Sequence, residues 1–489
     1  DTVAITGLLT VSSDTTLSGD LKIDADDKAL VLGADQDASI FSDGAGAIYF
    51  VRGQDYSPAA GDTEGWLEMA IADSDTTSFK VAGGEGGHSV LYLWADGGDD
   101  NADKWNLISD TSGNFGIQSY STGSTVTHLQ LDANSRISLS NNDSSNTGNT
   151  IFGKSAWNNS SNNASDYNTI FGEGVMGTGA VAGALGNVGV GFETLKDITD
   201  GGYNVAIGYQ SGQNFTSADE CVAIGTNSLN LATLAQNCIA IGRNAMQAVT
   251  TNAVDGAIAI GYGALLGAAG TTTGANYTIA IGTSALAALT TGSGNVAVGY
   301  EALKTEDVGP GNVAVGYQAL ETCNNDTGYN IAMGYDAMQA CADAYFTIAI
   351  GKDAGKNISG SRASMVIIGH EAGNGAITTD GSVLIGRSAG GALTSGGNNV
   401  AIGYQSLYNQ TTGGNNTAIG YQAMSDCNHV QADYNTCIGS LAGGDMGAFA
   451  SHSNVLIGYN CGGGTHTAAN VRSTAVGAGA MAGALSTAN

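Results

Sequence analysis

One apolar phrase recurs along most of the chain. Two of its copies read NVAVGYEAL from Asn295 and NVAVGYQAL from Asn312. Up to the glycine, branched apolar residues alternate with alanine, and alternation with a period of two is typical of a β-strand. The residues after the glycine, YEAL or YQAL, are too few to form a helix before the next polar turn. We therefore expect two short strands in each copy.

The phrase can be counted from its glycine, which recurs nineteen times at intervals of 17 to 21 residues and fills residues 149–489. Such a unit cannot bury its apolar residues alone, so the copies must stack on one another. The sequence therefore predicts an all-β fold, a parallel β-solenoid of about 19 coils that would extend over roughly 90 Å. Positions below are counted from this glycine, so that position −4 lies four residues before it. The repeat glycines are Gly153, Gly172, Gly191, Gly208, Gly225, Gly242, Gly261, Gly282, Gly299, Gly316, Gly334, Gly351, Gly369, Gly386, Gly403, Gly420, Gly439, Gly458 and Gly477.

Stacked coils place equivalent residues in ladders, and asparagine at position −4 is the clearest. We expect its amides to hydrogen-bond one another along the stack and to satisfy turn backbone. The members are Asn149, Asn168, Asn187, Asn204, Asn295, Asn312, Asn330, Asn399, Asn416, Asn435 and Asn454.

Tyrosine recurs at position +1. We interpret this ladder as an aromatic stack on the solenoid surface. The alternative is a stripe that contacts a sugar or a receptor. The members are Tyr209, Tyr262, Tyr300, Tyr317, Tyr335, Tyr404, Tyr421 and Tyr459.

The strand phrase, NVAIG at Asn204–Gly208 and NVAVG at Asn295–Gly299 and Asn312–Gly316, is similar to the head repeats of trimeric autotransporter adhesins. That family forms a left-handed parallel β-roll. The coils here are longer, through turns such as TTGGNN at Thr411–Asn416. The resemblance implies a homotrimer in which three chains pack together to bury a second apolar face.

The first 148 residues lack the repeat. They read as short alternating strands broken by glycine- and aspartate-rich turns. We divide the chain into a β-rich fibre segment at residues 1–80, a small β module at 81–148 and the repeat array at 149–489. Because repeat arrays normally end in a cap and this one runs to the last residue, we interpret the chain as part of a longer protein. Five aromatic residues are expected in the core of the module: Tyr92, Trp94, Trp105, Phe115 and Tyr120.

Two strings in this region, LYLWADGGDDNADKW with the following SGNFGIQSY, and LSGDLKIDADDKALVLGADQDASIFSDG upstream, resemble tail-fibre and virion structural proteins of marine bacteriophages. The resemblance covers most of residues 15–139. It implies a phage tail fibre, located on the virion and extracellular, whose partners are other virion or tail proteins and a host-cell receptor, either glycan or protein. The alternative is a trimeric adhesin on a bacterial surface.

Composition limits the kinds of partner that the chain can bind. The chain has 44 acidic against 15 basic residues, for a net charge of −29. Nucleic acid is excluded as a partner, because binding it requires cationic groups that displace counterions. Membrane insertion is not expected either, since the uncharged stretch 256–300 carries Gly, Thr and Asn at turn spacing.

Two features invite a chemical interpretation. The acidic loop with Asp96, Asp99, Asp100, Asn101 and Asp103 offers oxygen ligands for Ca²⁺ but lacks the alternating spacing and closing Glu of a calcium loop, so we favour a solvated hairpin turn. Cysteines stack in successive coils, within disulfide reach. We favour buried thiols, and the absence of CxxC spacing argues against zinc. The pairs are Cys221 with Cys238 and Cys323 with Cys341, with Cys427, Cys437 and Cys461 besides.

No enzyme is predicted: we assign no catalytic, cofactor-binding or metal-binding residue and no cofactor. The six histidines share no repeat position, and nucleophile-elbow, P-loop and HExxH motifs are absent from the sequence. A polysaccharide-degrading tailspike would need paired carboxylates, whereas the acids of the array look scattered. An ice-binding solenoid would need a Thr-x-Thr ladder, which the array lacks. The acids considered are Glu301, Glu306, Asp307, Asp336, Asp353 and Glu371.

Overall fold

The structure is a computed structural model, and the chain divides into two units, Asp1–Ser140 and Asn141–Asn489. Throughout the described residues the fold is all-β, strands and turns without a helix, which confirms the predicted fold class. The described residues are 29–32, 38–42, 48–52, 88–94, 104–119, 125–131, 137–139, 148–157, 165–177, 181, 183–249, 254–267, 274–324, 326–341, 343–359, 361–447, 450–464 and 469–483.

Within its described residues, the first unit contains two antiparallel sheets. Strands β1 (Ala29–Leu32), β2 (Ala38–Ser42) and β3 (Ile48–Arg52) pair in chain order. A five-stranded meander follows, in which each strand again pairs with the next along the chain. Its strands are β4 (Ser89–Trp94), β5 (Lys104–Ser109), β6 (Phe115–Ser119), β7 (Val126–Leu131) and β8 (Ile137–Leu139).

The predicted aromatic core of this module is wrong for the residues that can be checked. Tyr92 is 58% exposed, Trp105 41% and Phe115 43%. A sheet turns alternate side chains to its two faces, and a face is buried only where another layer packs on it. Tyr120 and the side chain of Trp94 lie outside the described part of the module.

In the second unit, nineteen strands within the described residues pair in parallel, one per coil and in register with the next. Strands β20 (Asp343–Tyr345) and β22 (Ser361–Ala363) form an additional parallel pair in the turns of two neighbouring coils. This row confirms the parallel β-solenoid. The nineteen strands are β9 (Thr150–Phe152), β10 (Thr169–Phe171), β11 (Val188–Phe192), β12 (Val205–Tyr209), β13 (Val222–Ile224), β14 (Ile239–Ile241), β15 (Ile258–Ile260), β16 (Ile279–Ile281), β17 (Val296–Val298), β18 (Val313–Val315), β19 (Ile331–Met333), β21 (Ile348–Ile350), β23 (Val366–Ile368), β24 (Val383–Ile385), β25 (Val400–Ile402), β26 (Thr417–Ile419), β27 (Thr436–Ile438), β28 (Val455–Ile457) and β29 (Thr474–Val476).

Each coil has a strand wall, positions −4 to −1, whose sides are set by the strand alternation. The central residue at position −2 faces the interior, and Ala206, Ala314 and Ala401 there are fully buried. The branched residues at −3 and −1 point outward and are mostly half-exposed. Small alanine therefore lines the interior of most coils, and the larger Val and Ile face out.

The asparagine ladder secures the strand wall, as predicted. Oδ1 of Asn187 accepts hydrogen bonds from both the backbone N–H and Nδ2 of Asn204, each at 3.0 Å. Nδ2 of Asn187 donates to the carbonyl of Gly201 in the next coil, at 3.0 Å. Both asparagines are fully buried. One side chain thus satisfies polar groups in its neighbouring coil, which buried backbone requires.

The predicted second strand is wrong. Positions +2 to +6 form a turn wall, in which residues with positive φ alternate, as at Gln318 (φ 52) and Leu320 (φ 53). The backbone of this segment still forms hydrogen bonds to both neighbouring coils. The N–H of Gln318 donates to the Tyr300 carbonyl at 2.9 Å, and the N–H of Leu320 donates to the Ala337 carbonyl at 3.0 Å. The inter-coil ladder continues without extended backbone.

The repeat glycine is required by this geometry. Gly299 has φ +145, and a Cβ added there would lie 2.1 Å from the carbonyl oxygen of Gly316 in the next coil. No side chain fits a gap of that size, and L-residues avoid this φ. The glycine recurs because strand and turn walls meet there at close backbone approach.

The two walls compensate each other in volume. Where position −2 is alanine, position +4 is mostly leucine or methionine, as in the Ala401 and Leu407 coil. In the coils of Ile367, Leu384 and Leu456, where position −2 is large, position +4 is glycine, and a Cβ on Gly390 would lie 2.8 Å from Cδ2 of Leu384. The first two coils differ, since Ile170 at position −2 is combined with Met176 at position +4. In those three coils a large residue in one wall is therefore offset by glycine in the other, as close packing requires.

Candidate binding surfaces

The outer side of the strand wall carries an apolar band, defined here as positions −3 and −1 of every coil. Those positions hold only apolar residues and threonine in all nineteen coils, without a charged residue. Several members are well exposed, including Ile207 at 37% and Met333 at 42%. Continuous exposed apolar surface of this kind marks an interaction site.

Aromatic rings at position +1 stack along the coils, as predicted. The ring centroids of Tyr300 and Tyr317 are 5.2 Å apart, and those of Tyr317 and Tyr335 are 4.8 Å apart, nearly parallel in both cases. Tyr404 and Tyr421 stack at 5.3 Å. Desolvation within the stack raises the pKa of the Tyr317 phenol. The alternative role, contact with a sugar or receptor, remains a prediction.

Basic residues share this position, which the sequence interpretation missed. Position +1 is Lys352, His370 and Arg387 in three consecutive coils. Nζ of Lys352 lies 5.7 Å from the ring centroid of Tyr335, and Cζ of Arg387 lies 5.9 Å from that of Tyr404. Cation–π contacts of this kind extend the stack across coils that lack a tyrosine. Comparing the residue at position +1 in all nineteen coils would have found them.

A second set of aromatic side chains at position −5 was also missed. These residues have positive φ, and their rings lie over the backbone of the preceding coil: a Cβ on Gly311 would be 2.7 Å from Cδ1 of Tyr329. In chain order they precede the apolar band, and the +1 rings follow it. All are more than half exposed: Tyr167, Tyr203, Tyr277, Tyr329, Phe346 and Tyr434.

The turn wall carries ion pairs between positions +2 and +5. Nζ of Lys196 lies 2.6 Å from Oε1 of Glu193, and Nε2 of Gln210 in the next coil donates to Oε2 of Glu193 at 2.8 Å. The hydrogen bond from Lys196 holds the pKa of Glu193 below its ordinary value. Glu301 and Lys304 repeat the pair at 2.7 Å, with the same effect on the Glu301 pKa.

Three acids that looked scattered in sequence are brought together, which corrects the earlier interpretation. Asp336, Asp353 and Glu371 all occupy position +2 in consecutive coils. Nζ of Lys356 lies 2.7 Å from Oδ2 of Asp336 and 3.1 Å from Oδ1 of Asp353. Although burial acts to raise it, hydrogen bonds from Lys352 and Lys356 lower the pKa of Asp353.

The ligand atoms of Asp353, His370 and Glu371 lie within 4.8 Å of one another, a spacing that can hold a metal ion. However, Lys352 contacts Oδ2 of Asp353 and Lys356 contacts its Oδ1. Two ammonium groups thus occupy both oxygens that a cation would need. The arrangement works as an ion-pair network, so it gives no reason to add a metal to the assignment.

A groove opens in the turn wall of four coils near the end of the array, with a volume of about 370 Å³. Position +5 runs from Tyr408 through Ser425 to Gly444 and Gly463. Earlier coils carry Lys196, Lys304 or Lys356 there. Because Ser425, Gly444 and Gly463 are small, the strip between positions +2 and +6 is left uncovered beyond Tyr408. We call this cavity the +5 groove.

The cysteines agree with the favoured interpretation: all seven are buried free thiols. Sγ of Cys341 lies 2.8 Å from Sγ of Cys323 in the preceding coil. Burial raises the pKa of Cys427 to about 12 and also raises that of Cys437. The thiols of Cys427 and Cys437 therefore stay protonated and packed in the interior.

Two further sites considered from the sequence are the acid Glu306 and the acidic loop from Asp96 to Asp103. Glu306 is a fully buried carboxylate whose Oε1 accepts the backbone N–H of Gly309 at 2.6 Å, so it stabilises a turn. The loop from Asp96 to Asp103 lies outside the described residues, which resume at strand β5.

Comparison with known proteins gives no family or relative for this chain. Searches against protein-family models, curated proteins and solved structures find no match. In the part of the chain that the structure describes, no helix is long and apolar enough to cross a membrane.

Proposed function

We propose that the chain is a structural and adhesive fibre protein, in which three copies pack through their apolar bands into a homotrimeric shaft. The observation that carries this proposal is the band itself. It repeats in every coil, faces outward and holds no charge, although the chain as a whole has a net charge of −29. Burial of such a surface by identical chains is the simplest way for a solenoid to remove it from water.

The number of copies follows from the likeness of the repeat to trimeric adhesin heads. A closed arrangement around a three-fold axis lets each band contact its two neighbours, and the aromatic rings at positions −5 and +1 then border the contact. Aromatic residues at the margin of an apolar contact are typical of protein interfaces. The turn walls carry the charged and polar residues and face solvent.

The attachment of the fibre is the second part of the proposal. The strings in residues 15–139 that resemble marine phage fibre proteins support a shaft on a phage tail, bound to other virion proteins and presented to a host-cell receptor. A trimeric adhesin on a bacterial surface is the alternative, since both use the same kind of shaft. Immunogold labelling of phage particles and of bacterial cells with an antibody to the chain distinguishes the two locations.

The shaft requires no catalytic residue, and we propose that the protein is not an enzyme. Incubation with host capsule and lipopolysaccharide is expected to release no reducing sugar. Release that depends on the Asp336, Asp353 and Glu371 cluster would instead support a tailspike hydrolase.

The trimer is tested by size-exclusion chromatography with light scattering. The expected mass is three times the 48.9 kDa of one chain. Replacing Ile241 and Ile260 together by aspartate puts two charges into the band, and we expect this variant to run as a folded monomer, with its β-sheet circular dichroism retained. Ala287→Asp, at position +5 of the turn wall, is the matched control and should remain trimeric. A stable, folded wild-type monomer contradicts the proposal.

A further inference from the structure

The +5 groove differs in chemistry from the rest of the turn wall. Its sides are formed by position +2, with Gln405 and Gln422, and by position +6, with Asn409 and Asp426. Among the described residues that line it, none is basic. The ion pairs that cover this strip in earlier coils, such as Glu301 with Lys304, are therefore replaced by hydrogen-bonding groups around an open cavity.

These lining groups are held in place by one another. Nε2 of Gln422 donates to Oε1 of Gln405 at 2.8 Å, and Nδ2 of Asn409 donates to Oδ1 of Asp426 at 2.6 Å. Within the described residues, Nε2 of Gln405 and Oε1 of Gln422 have no further hydrogen-bond partner. The groove thus presents a donor and an acceptor next to each other, on side chains whose positions are already constrained.

Tyr408 forms the end of the groove. Its ring packs on the backbone of Gly391 in the preceding coil, where an added Cβ would lie 3.0 Å from Cε2 of the ring. The side chain remains 38% exposed. A tyrosine fixed in this way offers an apolar surface with a polar edge at little entropic cost.

We propose that the +5 groove binds an uncharged saccharide. Adjacent amide donors and acceptors, together with the carboxylates of Asp426 and Asp445, suit the paired hydroxyl groups of a sugar ring, and Tyr408 suits its C–H face. The two carboxylates repel anionic ligands, and the polar lining disfavours a hydrocarbon. A volume of about 370 Å³ is within the usual size of small-ligand sites, about 300–1,000 Å³.

This inference rests on the adhesive part of the proposed function and is independent of the trimer, because one chain supplies every lining residue. It names the class of receptor as a neutral glycan. The groove also lies on the turn wall, away from the apolar band, so assembly through the band leaves it accessible.

The test uses the full chain on an array of neutral and anionic oligosaccharides, followed by calorimetric titration of the neutral oligosaccharide with the strongest signal. Gly444→Lys restores at position +5 the side chain that covers this strip at Lys196 and Lys304. The nearest atom to a Cβ on Gly444 is the Leu441 carbonyl oxygen at 3.3 Å, so the backbone needs only a small adjustment. We expect binding to weaken at least tenfold. Ala287→Lys, which introduces lysine at the same position nine coils earlier, is the control and should bind as wild type.

Tyr408→Ala and Gln422→Ala provide a second measurement if Gly444→Lys does not fold, and each should weaken binding severalfold. The inference is overturned if no neutral oligosaccharide binds, if Gly444→Lys or both alanine variants bind as wild type, or if only anionic glycans bind. Light scattering on the same samples separates the two proposals. A trimer without glycan binding removes the groove inference alone, and a monomer that binds removes the trimer alone.

Discussion

The strand wall and the turn wall of the same coils follow different rules. In the strand wall, Val313, Ala314 and Val315 lie in register with near-identical residues above and below, and the pattern hardly changes over nineteen coils. In the turn wall, position +5 is Lys304 in one coil and Gly444 in another. The uniform wall supplies the surface for assembly, and the variable wall supplies ion pairs in one region and a groove in another.

The reason lies in how each wall stacks. In-register parallel strands put identical side chains about 4.8 Å apart, so each must pack well on its own copy. Branched apolar residues and alanine do so. In the turn wall, backbone hydrogen bonds hold the coils together, as between Gln318 and Tyr300 at 2.9 Å, while the outward side chains are free to differ.

The largest effect is expected where the two walls meet in the core. Leu384→Ala leaves a cavity and should lower the free energy of unfolding by about 2–5 kcal/mol. Gly390→Leu alone overfills the same space and should cost about 1–3 kcal/mol. The two changes together recreate the pairing of Ala401 with Leu407 in the next coil, so the double variant should regain most of the loss. Urea denaturation followed by circular dichroism measures all three.

The backbone at position +4 does not prevent this exchange, because Leu407 has φ 50 there and Gly390 has φ +61. If the double variant instead loses the sum of the two single-variant losses in free energy of unfolding, the two walls do not compensate in volume.

The next effect concerns the asparagine ladder of the strand wall. Asn187→Ala removes the acceptor for the backbone N–H and Nδ2 of Asn204, both buried. Nδ2 of Asn204 keeps its hydrogen bond to the Ala218 carbonyl, whereas its backbone N–H is left without a partner, which costs about 1–3 kcal/mol. We expect a loss in this range by the same denaturation measurement.

The control is Asn357→Ala, an exposed asparagine of the turns that donates to the Asn374 carbonyl. Its effect should stay within about 0.5 kcal/mol. A loss for Asn187→Ala no larger than the control would mean that the ladder does not stabilise the stack.

A smaller effect comes from the ion pairs of the turn wall. The pKa of Glu193 in the folded chain is lowered from its ordinary value of 4.5, chiefly by Lys196. The stabilisation that ionised Glu193 gives to the folded chain is therefore complete above about pH 4.5. It is lost as the pH falls through the lowered pKa of the folded state. For a partly exposed pair we expect about 0.5 kcal/mol. Glu193→Gln should be less stable than wild type at pH 7, and the difference should shrink at pH 3. A difference that grows on acidification contradicts the sign.

The last and smallest effect concerns the buried thiols, and it is measured as a rate of chemical modification. Because burial raises the pKa of Cys427 to about 12, its thiolate is scarce at pH 8. Iodoacetamide should modify the folded chain slowly and the urea-unfolded chain at all seven cysteines, as counted by mass spectrometry. Rapid modification of the folded chain would show that the coils open locally.

Much of the strand wall could be predicted from the sequence, since its signals are local and repeated. The alternation around Ala314, the asparagine at position −4 and the tyrosine stack at Tyr300 and Tyr317 follow from periodicity and stacking alone. The second strand was wrong because YQAL has no signal for residues that alternate into positive φ, at Gln318 and Leu320, where glycine or asparagine would usually be sought.

The groove and the ion-pair cluster were missed for a different reason. Each is formed by residues some seventeen positions apart that matter only in combination, such as Tyr408 with Ser425, or Asp336 with Asp353. Sequence reasoning searched for a singular motif, whereas these features arise when several coils change the same position together. Comparing the occupants of each position coil by coil would have shown both.

By itself, the sequence determined that the array is a parallel β-solenoid, where its coils begin, and which residues stack, because a repeated unit with one apolar phrase can bury that phrase only against its own copies. Only the tertiary structure decided which side of the strand faces inward. A narrow interior shared with Leu320 on the turn wall admits Ala314 at the strand centre, so Val313 and Val315 face outward and form the band on which the proposed assembly depends.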